Sequence, residues 1–427
     1  CSSKSVPLPQ LKSTRCSHIS GNRIQNNLSN VFKMSKAGRL RMMWDSSLNA
    51  DDLVNEYYDN VYGKEAGKKI CEYHDLLESS IKDFVKKNNK KLFDMDELGV
   101  SKIDRVTKLE AFYPKVRAQA RTILNDALAK APAGKCKKMV QFESDNFKAV
   151  ELTLDAMQAY EKVKNNASME NVVAFKNAVD AREAFLNANK GSMAVSLGSI
   201  RRSDNDYHLP VTKKMADYFL STKGKRMELE CPMVSQPPVI DGKLNDACWK
   251  NAVKIGNFLK KDDAAKVNFN STVMLARDKD NFYIALECDD PEASNLLEAV
   301  SRRDGAIWED NEIELFFDLK RNGKEVYHFL FNSAGFQADL KHLAGKSDIK
   351  WDGEWVVKTS KDKDKWFAEV KIPYSTLSKT PLKGDIWRIN ICRVRKTKAG
   401  GKGEYSQVTP TFGNFMNPDK FANLIIR

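Results

Sequence analysis

Apolar residues recur every three or four positions along the first half of the chain and every second position along the second half. Ala50-Asp51-Asp52 opens a helical pattern and Gly63 closes it, after which Ile70, His74, Leu77, Ile81 and Phe84 mark a further stripe. Val116, Ala120, Ile123, Leu124 and Leu128 share one face, as do Val150, Leu154, Met157 and Tyr160, and then Phe175, Val179, Phe185 and Leu186. The spacing predicts a helical domain over 45–222, packed as a bundle. A Pro-rich run from Cys231-Pro232 to Pro237-Pro238 breaks this period, and 223–238 reads as a linker.

From Val239 the period is 2. Ser271 to Arg277 and Phe282 to Cys288 are apolar strands joined by the turn residues Asp278-Lys279-Asp280-Asn281. In Asn311 to Asp318, Ile313, Leu315 and Phe317 face one way and Glu312, Glu314 and Phe316 the other. Val326 to Ser333, Trp366 to Ile372 and Trp387 to Val394 complete an antiparallel β-sandwich over 239–427. The fold class is multidomain, a helical bundle followed by an antiparallel sandwich.

Composition adds limits. A length of 427 residues suits two or three domains, and 42% hydrophobic content suits a packed fold. The formal charge of +13 is spread among 57 acidic residues without a basic stripe or reading motif, so no nucleic-acid partner is expected. No run reaches the length of a transmembrane segment. Residues 1–44 carry no Asp or Glu and read as a disordered or out-of-context tail. Cys1-Ser2-Ser3 is how a mature bacterial lipoprotein begins, so a lipid anchor on Cys1 stands beside processing or a gene fragment as a reading of that start. The eight cysteines lack the close pairs of a zinc site, and Cys71 and His74 read as core residues on one helix face.

Four strings of the second half stand in the order seen in family 9 carbohydrate-binding modules: Val239-Ile240-Asp241-Gly242 through Trp249, Ile307-Trp308-Glu309-Asp310 through Phe316, Trp366 through Ile372-Pro373, and Asn417-Pro418-Asp419 through Leu424. The region resembles that family, with its DOMON-like sandwich, across most of its length. The resemblance implies two aromatic rings clamping a terminal sugar, with carboxylate and amide groups fixing its hydroxyls. By motif position Trp308 and Phe415 are the rings, Glu314 the carboxylate and Asn332 an amide ligand. Leu330 and Cys392 depart from the pattern where Arg and Gln can stand.

Each assignment has a plainer counterpart. Trp308 lies in a polar loop, which favours an exposed ring over core. Phe415 reads equally as core, and the parity of Glu314 suits solvent as well as ligand. Trp249, Trp355, Trp366 and Trp387 read as packing residues. Glu312 and Glu314 share a strand face about 7 Å apart, compatible with glycoside hydrolysis, yet nothing in the sequence marks either as an acid of raised pKa.

A second string, Met43-Trp44-Asp45 through Val54 with Tyr57, Tyr58, Tyr62 and Gly63-Lys64-Glu65-Ala66, resembles the helical segment that follows an uncharacterised glycoside-hydrolase-like domain in large bacterial proteins. The reading is a non-catalytic module on a helical spacer, binding poly- or oligosaccharide, from a secreted, periplasmic or cell-surface polysaccharide-degrading protein with a catalytic domain upstream. The alternatives are a glycoside hydrolase or a fragment of one, and a cell-surface structural or partner-binding protein. No cofactor is implied; a structural calcium ion and the identity of any metal stay open.

Overall fold

The structure is a computed structural model and describes residues 48–87, 115–190, 211–250, 252–400 and 403–427. The tail over 1–44, with Cys1, and the start of the second string lie outside these residues. Two compact units emerge, one through Leu154 with Asn189–Ser196, the other Asp155–Ala188 with Leu197–Arg427.

The first unit contains α1 (Ala50–Tyr62), α2 (Lys64–Lys87), α3 (Lys115–Lys130) and the greater part of α4 (Lys135–Asn165). Asn49 caps α1, its side chain accepting from the Asp51 amide at 2.8 Å, and Gly63 ends the helix at φ 83°, where a side chain would also strike Pro132. Leu53, Tyr58, Tyr62, Ile70, Val116, Ala120, Leu124 and Phe147 form the core. Cys71 and His74 are only half-buried, because their neighbours are polar: the Tyr58 hydroxyl meets His74 Nδ1 at 2.8 Å, and the Cys71 thiol donates to Asp75 at 3.6 Å.

In the second unit the end of α4, α5 (Met169–Ala188) and α6 (Lys213–Ser221) share an aromatic cluster in which the Phe175 ring lies 5.5 Å from Tyr160 and 6.1 Å from Phe219. The sandwich follows. Its smaller sheet is ordered β3 (Ser271–Arg277), β4 (Asn281–Asp289), β10 (Lys365–Pro373), β9 (Val356–Lys361). The larger is ordered β1 (Glu228–Cys231), β13 (Ala422–Ile426), β11 (Ile386–Arg395), β5 (Glu312–Asp318), β6 (Glu325–Asn332), β7 (Gln337–Leu343), β8 (Lys346–Asp348). There β12 (Glu404–Gln407) pairs with both β11 and β2 (Leu259–Lys260). All pairings are antiparallel except β1 with β13. β1 lies inside the stretch expected as linker, and its Leu229 and Cys231 are buried in the sandwich core.

Alternation along the strands explains that core. Ile313, Leu315 and Phe317 of β5 and Tyr327, Phe329 and Phe331 of β6 turn inward onto Val273, Leu275, Ile284, Trp366 and Val370 of the smaller sheet. Trp249, Trp355, Trp366 and Trp387 are all buried. The first of the four strings is scaffolding. Glu369 of β10 accepts from the amides of Asp241 and Gly242 and from Trp249 Nε1 at 2.7–3.0 Å. Gly242, at φ 85°, has no room for a Cβ, which would lie 2.8 Å from the Thr359 backbone. Asp290 is likewise fully buried and bridged by Arg393 and Arg395, each at 2.8 Å.

Candidate functional site

The outer face of the larger sheet carries a different chemistry from the inner one. Strand register places Tyr405, Val394, Glu312 and Asn332 in one cross-strand row, and Gln407, Cys392, Glu314, Leu330 and Ala338 in the next. A third row holds Asn390, Phe316, His328 and Leu340. Trp308 sits in the short 3-10 turn Ile307–Glu309 that leads into β5, with Ile307 packed on Leu330 and Ala338. Trp308 is 56% exposed, while its backbone carbonyl accepts from Lys396 Nζ at 2.8 Å. The ring is displayed on an anchored backbone.

Glu314, Asn332 and Phe415 are brought to the same face, each differently engaged. Glu314 Oε2 lies 2.8 Å from His328 Nε2. His328 Nδ1 lies 3.2 Å from His342 Nε2, and Ser347 Oγ is 3.0 Å from His342 Nδ1, so a polar chain crosses the sheet from β5 to β8. Burial, and then the neighbouring His328, depress the pKa of His342 to about 4, so that imidazole is neutral at pH 7. Asn332 is fully buried. Its amide donates to Val300 O and Asp310 Oδ2, both at 2.9 Å, and accepts from the Phe336 amide at 2.9 Å. These bonds secure the loop that carries Trp308, since Asp310 also accepts from the amides of Ala299 and Val300 at 2.9 Å. Phe415, 6% exposed, packs in a cluster with Phe316, Val326, Cys392, Val394 and Phe421.

Three features escape a reading of the sequence. Glu312 is 1% exposed and its Oε2 has no hydrogen-bond partner among the described residues. Burial, reinforced by Glu314, pushes its pKa far above the carboxylate range, against the pull of Lys396. It is the raised-pKa acid that the sequence gives no sign of, because alternation reveals which face a residue takes but not whether loops cover that face. Asn311, next to it, is fully buried, and neither of its side-chain polar atoms has a partner among the described residues. The third is Tyr405, 37% exposed, whose ring lies 6.2 Å from Phe415 and 4.8 Å from the Lys261 ammonium. Tyr405 shares the row of Glu312, a position that only the pairing of the short β12 reveals.

The family model for "Carbohydrate family 9 binding domain-like" matches residues 240–427. This part of the chain, a little under half of it, is similar to that family. No curated protein matches the chain. Similar solved structures include a family 9 carbohydrate-binding module of Caldicellulosiruptor kristjanssonii in complex with glucose, at 20% identity and TM-score 0.37, covering 47% of this chain and 95% of that one. A module of the same family and organism in complex with cellotriose is 22% identical at TM-score 0.37, covering 48% of this chain and 94% of that one. Among the described residues of the domain and the helices, no group of three His, Cys, Asp or Glu could hold a metal ion, and no helix is long and apolar enough to cross a membrane.

Proposed function

We propose that the family 9-like domain binds the end of a poly- or oligosaccharide on the outer face of its larger sheet, without performing chemistry on it. The observation that carries this reading is Trp308, an exposed indole in the turn that leads into Asn311 and Glu312, whose buried side chains keep polar groups without partners among the described residues. An exposed ring offers the apolar C–H face of a pyranose a stacking surface, and the polar groups offer its hydroxyls partners. Glu314 is the carboxylate ligand and Asn332 the positioning residue that holds the Trp308 loop. Phe415 supports Tyr405, which we assign as the second exposed ring. The helical region serves as a spacer in a secreted, periplasmic or cell-surface protein of polysaccharide degradation, with a catalytic domain upstream.

A glycan array probed with the intact chain tests this: bound spots should be saccharides with accessible terminal sugars, and a blank array overturns the assignment. The raised-pKa Glu312 beside Glu314 favours one second reading, glycoside hydrolysis, which needs a protonated and an ionised carboxyl across the scissile bond. Both carboxyls project from one strand face, on the same side of any bound sugar, which argues for binding. Release of reducing sugar by the parent but not by Glu312→Gln would establish the second reading.

A further inference from the structure

We propose a second binding site, for a saccharide bearing an acidic group such as a uronate carboxylate or a sulfate ester, in the cavity between the end of α4, α6 and the β1–β13 edge of the sandwich. The cavity measures about 700 Å³, within the range of small-molecule sites, and is lined by rings and cations together. Tyr160, Tyr218 and Phe219 supply the rings. Lys164, Lys225, Arg226 and Lys420 supply four basic groups against the carboxylates of Glu228 and Asp419.

The cations are unevenly matched. Lys164 pairs with Asp419 at 2.9 Å, and Arg226 donates to the backbone carbonyls of Asp419 and Phe421. Lys420 has no carboxylate at ion-pair distance among the described residues. Its amine instead meets the Tyr160 hydroxyl and lies 4.1 Å from the Tyr160 ring centroid and 4.8 Å from that of Phe219. Burial holds the Lys420 pKa well below that of an ordinary lysine, and Lys164 and Arg226 push it the same way while Asp419 opposes. An anion bound beside this amine would favour its protonated form. The Lys225 side chain is exposed at the rim, and the Tyr218 hydroxyl has no partner among the described residues, leaving it free for a sugar hydroxyl.

This site shares no residue with the proposed saccharide site of Trp308, Glu312, Glu314, Asn332, Tyr405 and Phe415, so the two can be tested apart. Calorimetric titration of the full chain with a glucuronate-terminated disaccharide, a sulfated disaccharide, neutral cellobiose and sodium sulfate is the experiment, on the parent and on Lys225→Glu, Tyr218→Phe and Trp308→Ala. The better of the two acidic disaccharides should bind at least about tenfold tighter than the neutral one. Its binding should persist in Trp308→Ala, fall about tenfold in Lys225→Glu, and weaken less in Tyr218→Phe. Which acidic sugar wins identifies the group recognised. The proposal is overturned if neither acidic sugar outbinds cellobiose, if sulfate alone binds as tightly, if Lys225→Glu changes nothing, or if binding disappears in Trp308→Ala. Loss of neutral-sugar binding in Trp308→Ala bears only on the outer face.

Discussion

Along β5 and β6 both faces of the larger sheet are largely buried, yet they are closed in different ways. On the inner face Ile313, Leu315 and Phe317 of β5 meet apolar partners, and packing alone accounts for them. On the outer face Glu312 and Asn332 of the same row are as inaccessible as those core residues, but Glu312 keeps an oxygen without a partner. An unsatisfied buried carboxyl costs stability, so a face that retains one is under a demand other than folding. Burial by itself does not separate core from site; partner satisfaction does.

The sharpest way to break this comparison is to damage the inner face. Trp366→Ala should cost about 3–5 kcal/mol, as for other buried aromatic truncations, and lower the thermal midpoint of the sandwich steeply. A midpoint within a degree of the parent would mean that the inner face is not the packing centre.

Glu312→Gln sharpens the comparison from the other side. A carboxyl whose pKa is raised on folding stabilises fully below its unfolded value, about 4.3, and that contribution is lost as pH rises toward the folded value. The variant should therefore melt higher than the parent at pH 8 and no higher at pH 4, by ~2–4 °C for each kcal/mol recovered. His342 acts with the opposite sign: its depressed pKa, near 4, makes stability fall as pH drops from about 6.5 toward 4. His342→Gln should flatten the acid limb of the melting profile while leaving the limb above pH 7 unchanged.

The smallest effect is expected at Tyr405. As a partly exposed ring on β12, Tyr405→Ala should weaken saccharide binding several-fold, on the scale of ~0.5–1.5 kcal/mol for an aromatic contact, with little loss of stability. Binding equal to the parent would return the second ring to Phe415.

Much of the sandwich is legible in the sequence because period-2 alternation is strong where one side of a strand meets a core. The strand predicted over Ser271 to Arg277 is β3 itself, and those predicted around Phe282, Trp366 and Trp387 differ from β4, β10 and β11 by one residue at each end. Short strands fail this test. β1 has four residues at the start of the Pro-rich run and owes its strand to parallel pairing with β13, a partner nearly two hundred positions away. The exposure of Trp308 was legible, because its polar neighbours mark a loop. The burial of Glu312 and the engagement of the Asn332 amide by Val300 and Asp310 were not, because alternation gives the face a residue takes and not what covers it.

The most direct test of the account is a calorimetric titration of the intact chain with the saccharide that an array selects, run on the parent and on Trp308→Ala. Because the indole is exposed, the variant should keep the parent's melting midpoint while its affinity falls by more than about tenfold. Undiminished affinity in Trp308→Ala, with the midpoint unchanged, would contradict the assignment of the outer face as the saccharide site.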